Sequence, residues 1–171
     1  PAVKRSAQLN QMDIVMTGRA GDAATAFLLA RWRERLAERL PSSFLEQAER
    51  LPGTAGDAPA GVLWVPIGPE GVFGALWRLG ELAGTGLRVE LARIPVFQET
   101  IEICEILDLS PYRLLSSGCL WLEENGNWSG GTVIGHTEGG KARVVESTWG
   151  FRYLTKPPEC PLELGGDSRL R

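Results

Sequence analysis

Histidine is nearly absent from this sequence: His136 is the only one in 171 residues. A metal centre would therefore have to lean on carboxylates and thiols, and the sequence gives no reason to expect one. The three cysteines, Cys104, Cys119 and Cys160, are odd in number and widely spaced, which speaks against both a CxxC zinc site and a secreted disulfide framework. Free thiols in a reducing compartment fit better, so the chain reads as cytoplasmic. Excess positive charge is lacking as well, with 18 Lys and Arg against 21 Asp and Glu, so nucleic acid and anionic lipid are not expected partners. No apolar run approaches the roughly 20 residues that span a bilayer. The opening "PAVKRSAQLNQ" also lacks the apolar core of a signal peptide, and no membrane partner is expected.

What is present is ordinary globular material, 43% hydrophobic and 23% charged, in a chain long enough to bury a core without staples. The expected layout is a lead-in over 1–11, one domain over 12–155 and a tail over 156–171. "MDIVMTG" reads as a buried strand ending in glycine, and "DAATAFLLARWRERLAERL" as a helix with Leu28, Trp32, Leu36 and Leu40 stacked on one face. Pro41 stops it, and Ser43 with Glu46 matches a capping box for a second, shorter helix. "PGTAGDAPAG" is an exposed connection. "VLWVPI" then forms a strand, and "GVFGALWRLGELAG" a helix so apolar that more than one neighbour must cover it.

"GLRVELARI" alternates like a half-buried strand, with Leu87, Val89 and Leu91 on one face. In "IPVFQETIEICEILDLSPYRLLSSG" a helix buries Ile101, Ile103, Cys104, Ile106 and Leu107, and Ser110-Pro111 starts a short turn before a Ser116-Ser117-Gly118 corner. "CLWLEE", "TVIGHT", "ARVVEST" and "FRYL" follow as strands of a meander joined by hairpins. Strands alternating with helices and then strands alone predict an α/β (α+β) fold, a mixed β-sheet with packed helices.

Two places have the form strand, glycine corner, helix start: "VMTGRAGDAAT", with Gly18 and Gly21, and "WVPIGPEGVFG", with Gly68, Gly71 and Gly74. Backbone N–H groups at such a corner and the positive end of a helix can hold a phosphate, and Arg19 would add a guanidinium at the first. The second is less suited, because Glu70 would repel an anion and Pro66 and Pro69 have no N–H. Cys119 and His136 would make a thiolate pair only if adjacent strands joined them. No third orienting residue is evident, and Cys119 opening an apolar strand fits a core role. Glu102, Glu105, Glu123 and Glu124 sit where a solvated face explains them, so no catalytic residue is assigned.

The block from Gly71 to Leu122 resembles the C-terminal domain of the AIR (aminoimidazole ribonucleotide) synthase superfamily, most nearly its HypE-type hydrogenase-maturation branch and short AIR synthase-related proteins. "DIVMTGRAGDAATAFLLA" resembles that domain's opening strand, glycine turn and first helix, and "VIGHTEGGKARVV" its late strand and hairpin. The resemblance implies a scaffold half. In whole members a preceding N-terminal domain supplies much of the ATP site and the dimer core, and the C-terminal domain closes over the nucleotide.

Three departures matter. The superfamily's D-x-T-x-G-G turn lines up with Pro66 to Gly71, where only the last glycine survives. The usual helix between "CLWLEE" and "TVIGHT" is replaced by "NGNWSGG", leaving Trp121 or Trp128 to fill or expose a gap. The HypE-type terminal cysteine has no counterpart at the chain's end, and Cys160 is a poor substitute. The chain is thus expected to be a fragment, to work beside a separate N-terminal-like subunit, or to have abandoned the nucleotide. The leading expectation is a catalytically degenerate domain acting through a partner subunit or as a homodimer. The rivals are half of a Mg-ATP-dependent enzyme, with Gly18, Arg19, Gly21 and Gly71 at the nucleotide and Ser116, Ser117 and Gly118 as further candidates, and a small-molecule binding module.

Overall fold

The computed structural model of the chain describes residues 9–53, 56–124 and 130–157. Among them seven strands form one mixed sheet: β1 (Asp13–Met16), β2 (Leu63–Gly68), β3 (Gly86–Glu90), β4 (Ser116–Glu123), β5 (Thr132–Glu138), β6 (Arg143–Ser147) and β7 (Gly150–Tyr153). The helices are α1 (Asp22–Ala37), α2 (Ser42–Glu49), α3 (Gly71–Ala83) and α4 (Gln98–Leu107). The strand order is β2-β4-β1-β5-β3-β6-β7, and only the β3–β6 pair is parallel. None of these helices is long and apolar enough to cross a membrane.

One face of the sheet packs on α3. Ile14, Met16, Ile67, Leu87, Val89, Leu120, Leu122 and Ile134 point to it and meet Val72, Leu76 and Leu79, all essentially buried. Each such side chain contributes about 1.5–3 kcal/mol of apolar burial. This explains why α3 carries so few charges: its buried residues lie on almost every side. Leu9 also enters this core, and Gln11 donates its N–H to Thr137 O at 3.0 Å, tying the residues before β1 to β5.

A second core lies at the end of the sheet where β1 finishes. There α1, α2 and α4 enclose Leu28, Leu29, Leu36, Leu45, Ile103, Cys104 and Leu107, with Trp32 and Leu40 packed against them. The four-residue spacing in α1 thus faces a small helical lobe and not the sheet. The helix is kinked at Trp32 (φ −118°, ψ 21°), so its face is bent around that lobe. α4 ends on Asp108 in the left-handed region (φ 55°), with Leu109 N–H donating to Cys104 O at 2.9 Å in the manner of a Schellman stop.

Four local expectations are corrected. The strand at β3 ends at Glu90, and Leu91–Arg93 is a turn of 3-10 helix. Ser43 makes no capping box: α2 starts at Ser42 directly after Pro41, one residue earlier than a Ser43 cap requires, and no side chain caps its exposed first turn. Ser116-Ser117-Gly118 is not a corner before a strand but the first three residues of β4. The last strands are not a meander, since β5 pairs with β1 and β3 while β6 pairs with β3 and β7. The segment 139–142 crosses over the start of β3, where Leu87 N–H donates to Ala142 O at 2.8 Å. Gly86 makes room for it, as a Cβ there would lie 2.7 Å from that carbonyl. Only β6–β7 is a hairpin among these.

The connection before β2 is partly docked. Gly56 O accepts from Thr17 Oγ1 at 2.8 Å, and Ala58 and Val62 pack on Val15, Cys119 and Trp121. Trp121 is therefore buried on the face away from α3, which removes it as an open platform, while Trp128 lies outside the described residues.

The chain crosses itself closely where β1 leaves the sheet. Gly18 (φ 78°) and Gly118 (φ 88°) stack backbone on backbone, and a Cβ on Gly118 would strike Thr17 O. Gly68 (φ 71°) shares the left-handed conformation but has open space around it. Gly118→Ala should accordingly cost about 3 kcal/mol or more, and Gly68→Ala only about 1 kcal/mol, as read from urea midpoints. Equal losses would show that the crossing is not tight.

Candidate functional site

Both glycine corners and the Ser-Ser-Gly segment meet at one end of the sheet. Gly68 at the end of β2 pairs with Ser116 at the start of β4, and Gly21 donates its N–H to Ser116 Oγ at 2.7 Å. Gly18, Arg19, Gly21, Ser116, Ser117 and Gly118 are thus one cluster. Gly71 lies on the far side of β4, under the 3-10 turn Pro111–Arg113, where a Cβ would sit 2.5 Å from Tyr112 O. Its role there is packing contact with that turn.

The amides of the first corner are engaged inside the protein. Ala20 N–H donates to Pro95 O at 2.8 Å, Ala23 N–H to Asp22 Oδ1 at 2.7 Å, and Ala24 N–H to Leu115 O at 3.1 Å. The Asp22 carboxylate also accepts Ser117 N–H at 2.7 Å and the Ser117 hydroxyl. Ser116 Oγ, having accepted from Gly21, donates to Leu114 O at 2.7 Å. A carboxylate therefore occupies the positive end of α1, where an anion would otherwise be drawn. Arg19 is turned onto Phe97, its guanidinium 4.6 Å from the ring centroid.

The second corner is closed in a different way. Arg78 donates to Pro66 O at 2.8 Å and Ile67 O at 2.7 Å, and it faces Glu70 at 3.3 Å. Glu70 folds back over Gly74 in the first turn of α3. This turn holds itself shut with one ion pair and has two prolines in place of donors.

The remaining sequence candidates stay apart. Cys119 lies opposite Pro66 on β2, and Thr17 donates to its carbonyl. His136 lies opposite Asp13, at the other end of β1, and the β1–β4 pairing puts the rows of Asp13 and Thr17 four residues apart. At about 3.3 Å per residue this separation exceeds any hydrogen bond, so no thiolate pair forms. Cys119 Sγ instead contacts Thr17 Oγ1 and Gly56 O, each at 3.4 Å. Cys160 lies outside the described residues. Among the described residues no group of three or more His, Cys, Asp and Glu is placed to hold a metal ion.

A charged cluster that sequence reasoning missed sits on the sheet face opposite α3. Arg88 on β3 pairs with Glu138 on β5 and Glu146 on β6, and His136 Nε2 lies 3.5 Å from Glu138. Hydrogen bonds to Glu138 and then Glu146 raise the Arg88 pKa above its ordinary value. Strand alternation in "GLRVELARI" does place Arg88 on the face away from Leu87 and Val89. Only the parallel β3–β6 pairing, which sequence does not announce, brings Glu146 beside it.

No protein-family model and no curated sequence matches the chain. Solved structures do. HypE in complex with ATP superposes with a TM-score of 0.67 at 17% identity over 95% of this chain and 54% of that one. HypE in its complex with HypF gives 0.61 at 15%, over 86% and 53%. Thiamine monophosphate kinase from Aquifex aeolicus gives 0.57 at 16%, over 80% and 50%. The chain has the AIR synthase-like fold that HypE and this kinase share, and it spans about half the length of the structures it matches.

Two outcomes test this geometry. Asp22→Ala should lower stability by about 1–3 kcal/mol in urea unfolding, because Ser117 N–H loses its acceptor. Burial pushes the Cys104 thiol up to about 12. At pH 8 only about one thiol in ten thousand is then ionised, so Ellman's reagent should leave Cys104 unmodified until the chain unfolds. Because the folded value is the raised one, the associated stability is full below the unfolded pKa near 9 and declines as pH rises towards about 12. Cys104→Ala should remove that part of the alkaline decline.

Proposed function

We propose that this chain is a C-terminal-type AIR synthase-like half with no nucleotide chemistry of its own, which acts by associating with a partner subunit or a second copy. The observation that carries this reading is the Asp22 carboxylate at the start of α1, with the amides around it already engaged. The Pro66–Gly71 turn supports it, since Arg78 and Glu70 stand where the superfamily's turn would need an open acidic loop. The extent of the match is compatible with it: the chain covers about half of each HypE structure. The neighbour that is a HypE–HypF complex supports association as a mode of action for this fold.

A second reading is favoured by the neighbour solved with ATP. On it, the chain is half of an ATP-dependent enzyme, and the Gly18-Arg19-Gly21 corner, with Gly71, contacts the nucleotide once a second half is present. Mg-ATP would be the cofactor, and Arg19 would have to leave Phe97 to reach a phosphate.

Thermal unfolding separates the two. Ligand at 100 times its dissociation constant adds about 2.7 kcal/mol, a shift of several degrees for a domain of this size. The proposed reading expects no change in Tm with millimolar Mg-ATP. A clear shift that Arg19→Ala abolishes would establish the enzyme reading in its place, as would ATP turnover on mixing with an N-terminal-type half.

A further inference from the structure

The two edges of the sheet are built differently. β2 carries Pro66 and an irregular register between Pro66 and Gly68, features that discourage another strand from adding there. β7, at the opposite edge, has neither. All four of its residues are exposed, with Phe151 at 63% and Tyr153 at 64%, and Trp149 in the adjoining turn stands 97% exposed. Its single charge does not guard the edge either, because Arg152 is turned to the α3 face, 4.9 Å from the Phe73 ring centroid.

The hydrogen-bond parity of β7 follows from its hairpin. Leu154 N–H donates to Arg143 O at 2.8 Å, so the backbone groups of Leu154, Arg152 and Gly150 face β6, and those of Phe151 and Tyr153 face outward. The Phe151 and Tyr153 side chains share one face, where their rings meet edge to face at 5.8 Å. This leaves a strand edge with its aromatic rings on one face, its one charge turned to the other, and the donors and acceptors of Phe151 and Tyr153 aimed outward.

We propose that β7 pairs antiparallel with β7 of a second copy of this chain, about a two-fold axis at Phe151, joining two sheets into one. In that register Phe151 faces its own counterpart as a hydrogen-bonded pair, consistent with the outward direction of its backbone groups. Trp149 then faces Tyr153 of the second copy, and Gly150 faces Arg152, so aromatic residues meet across the axis while like charges do not. A register shifted to centre on Arg152 would set the two guanidinium-bearing residues directly opposite. The outward parity also admits a register centred on Tyr153, but the Phe151-centred one brings the aromatic residues of the two copies together.

This inference specifies the associating surface of the proposed function and rests on that reading, but it is tested by mass and not by nucleotide. Light scattering of the full chain at about 100 µM should give a dimer, and Phe151→Lys should give a monomer with an unchanged far-UV spectrum and a Tm that no longer depends on protein concentration. In a Cys160→Ser background, Phe151→Cys should form an interchain disulfide under mild oxidation and Arg152→Cys should not. A monomer, a dimer indifferent to Phe151→Lys, or a chain that dimerises only after residues 158–171 are removed would each overturn the β7 pairing. A monomer whose Tm is still unaffected by Mg-ATP would overturn it while leaving the partner-subunit reading standing.

Discussion

The crossing of Thr17-Gly18 with Ser117-Gly118 is the constraint on which the rest of the fold turns. Two backbones pass there without side chains between them, which only glycine permits at these left-handed φ angles. The crossing brings Ser116 and Ser117 against the start of α1, so that Gly21 N–H finds a hydroxyl and Asp22 finds an amide and a hydroxyl. α1 is thereby directed away from the sheet into the lobe it shares with α2 and α4. The same contacts that anchor the helix also fill its positive end, so the stability of this corner and its closure to an outside anion have one origin.

The sheet distributes its surfaces unequally. One face is covered by α3, whose apolar sides are used by the strands and by the Pro111–Arg113 turn. Among the described residues the opposite face is covered by residues 56–62 over Trp121 and carries Arg88 with its two carboxylates. Exposed charge pairs of this kind add little to stability. Their effect is to keep that part of the face wetted, whereas the β7 edge exposes Phe151 and Tyr153 among the described residues. The described residues thus combine a helix start occupied by the Asp22 carboxylate with an exposed strand at the sheet edge.

Much of the architecture was legible locally. The apolar run in α3, the four-residue spacing of Leu28 and Leu36, and the buried side of α4 are periodic signals, and the mixed sheet with packed helices followed from them. The resemblance to AIR synthase-like proteins rested on the same blocks, and the fold agrees with it. The meander expectation failed because alternation reports which way side chains point, not which strand lies alongside. β6 skips β5 to pair with β3 over a four-residue crossing that Gly86 admits. The candidate site was legible in its glycines and serines, which do gather, but not in its chemistry. Asp22 drew no reading in the sequence, and its partner Ser117 is 95 residues away.

The sequence by itself determined most of the elements and their buried faces, because these depend on residue type and on periods of two and 3.6. Tertiary structure alone decided how the polar groups of the corner are paired, which strands are neighbours and which strand stands exposed at the edge among the described residues. Those properties belong to pairs of residues distant in the chain, where a single close approach, such as Gly18 on Gly118 or Ser117 on Asp22, sets whether an amide meets solvent or is already spent.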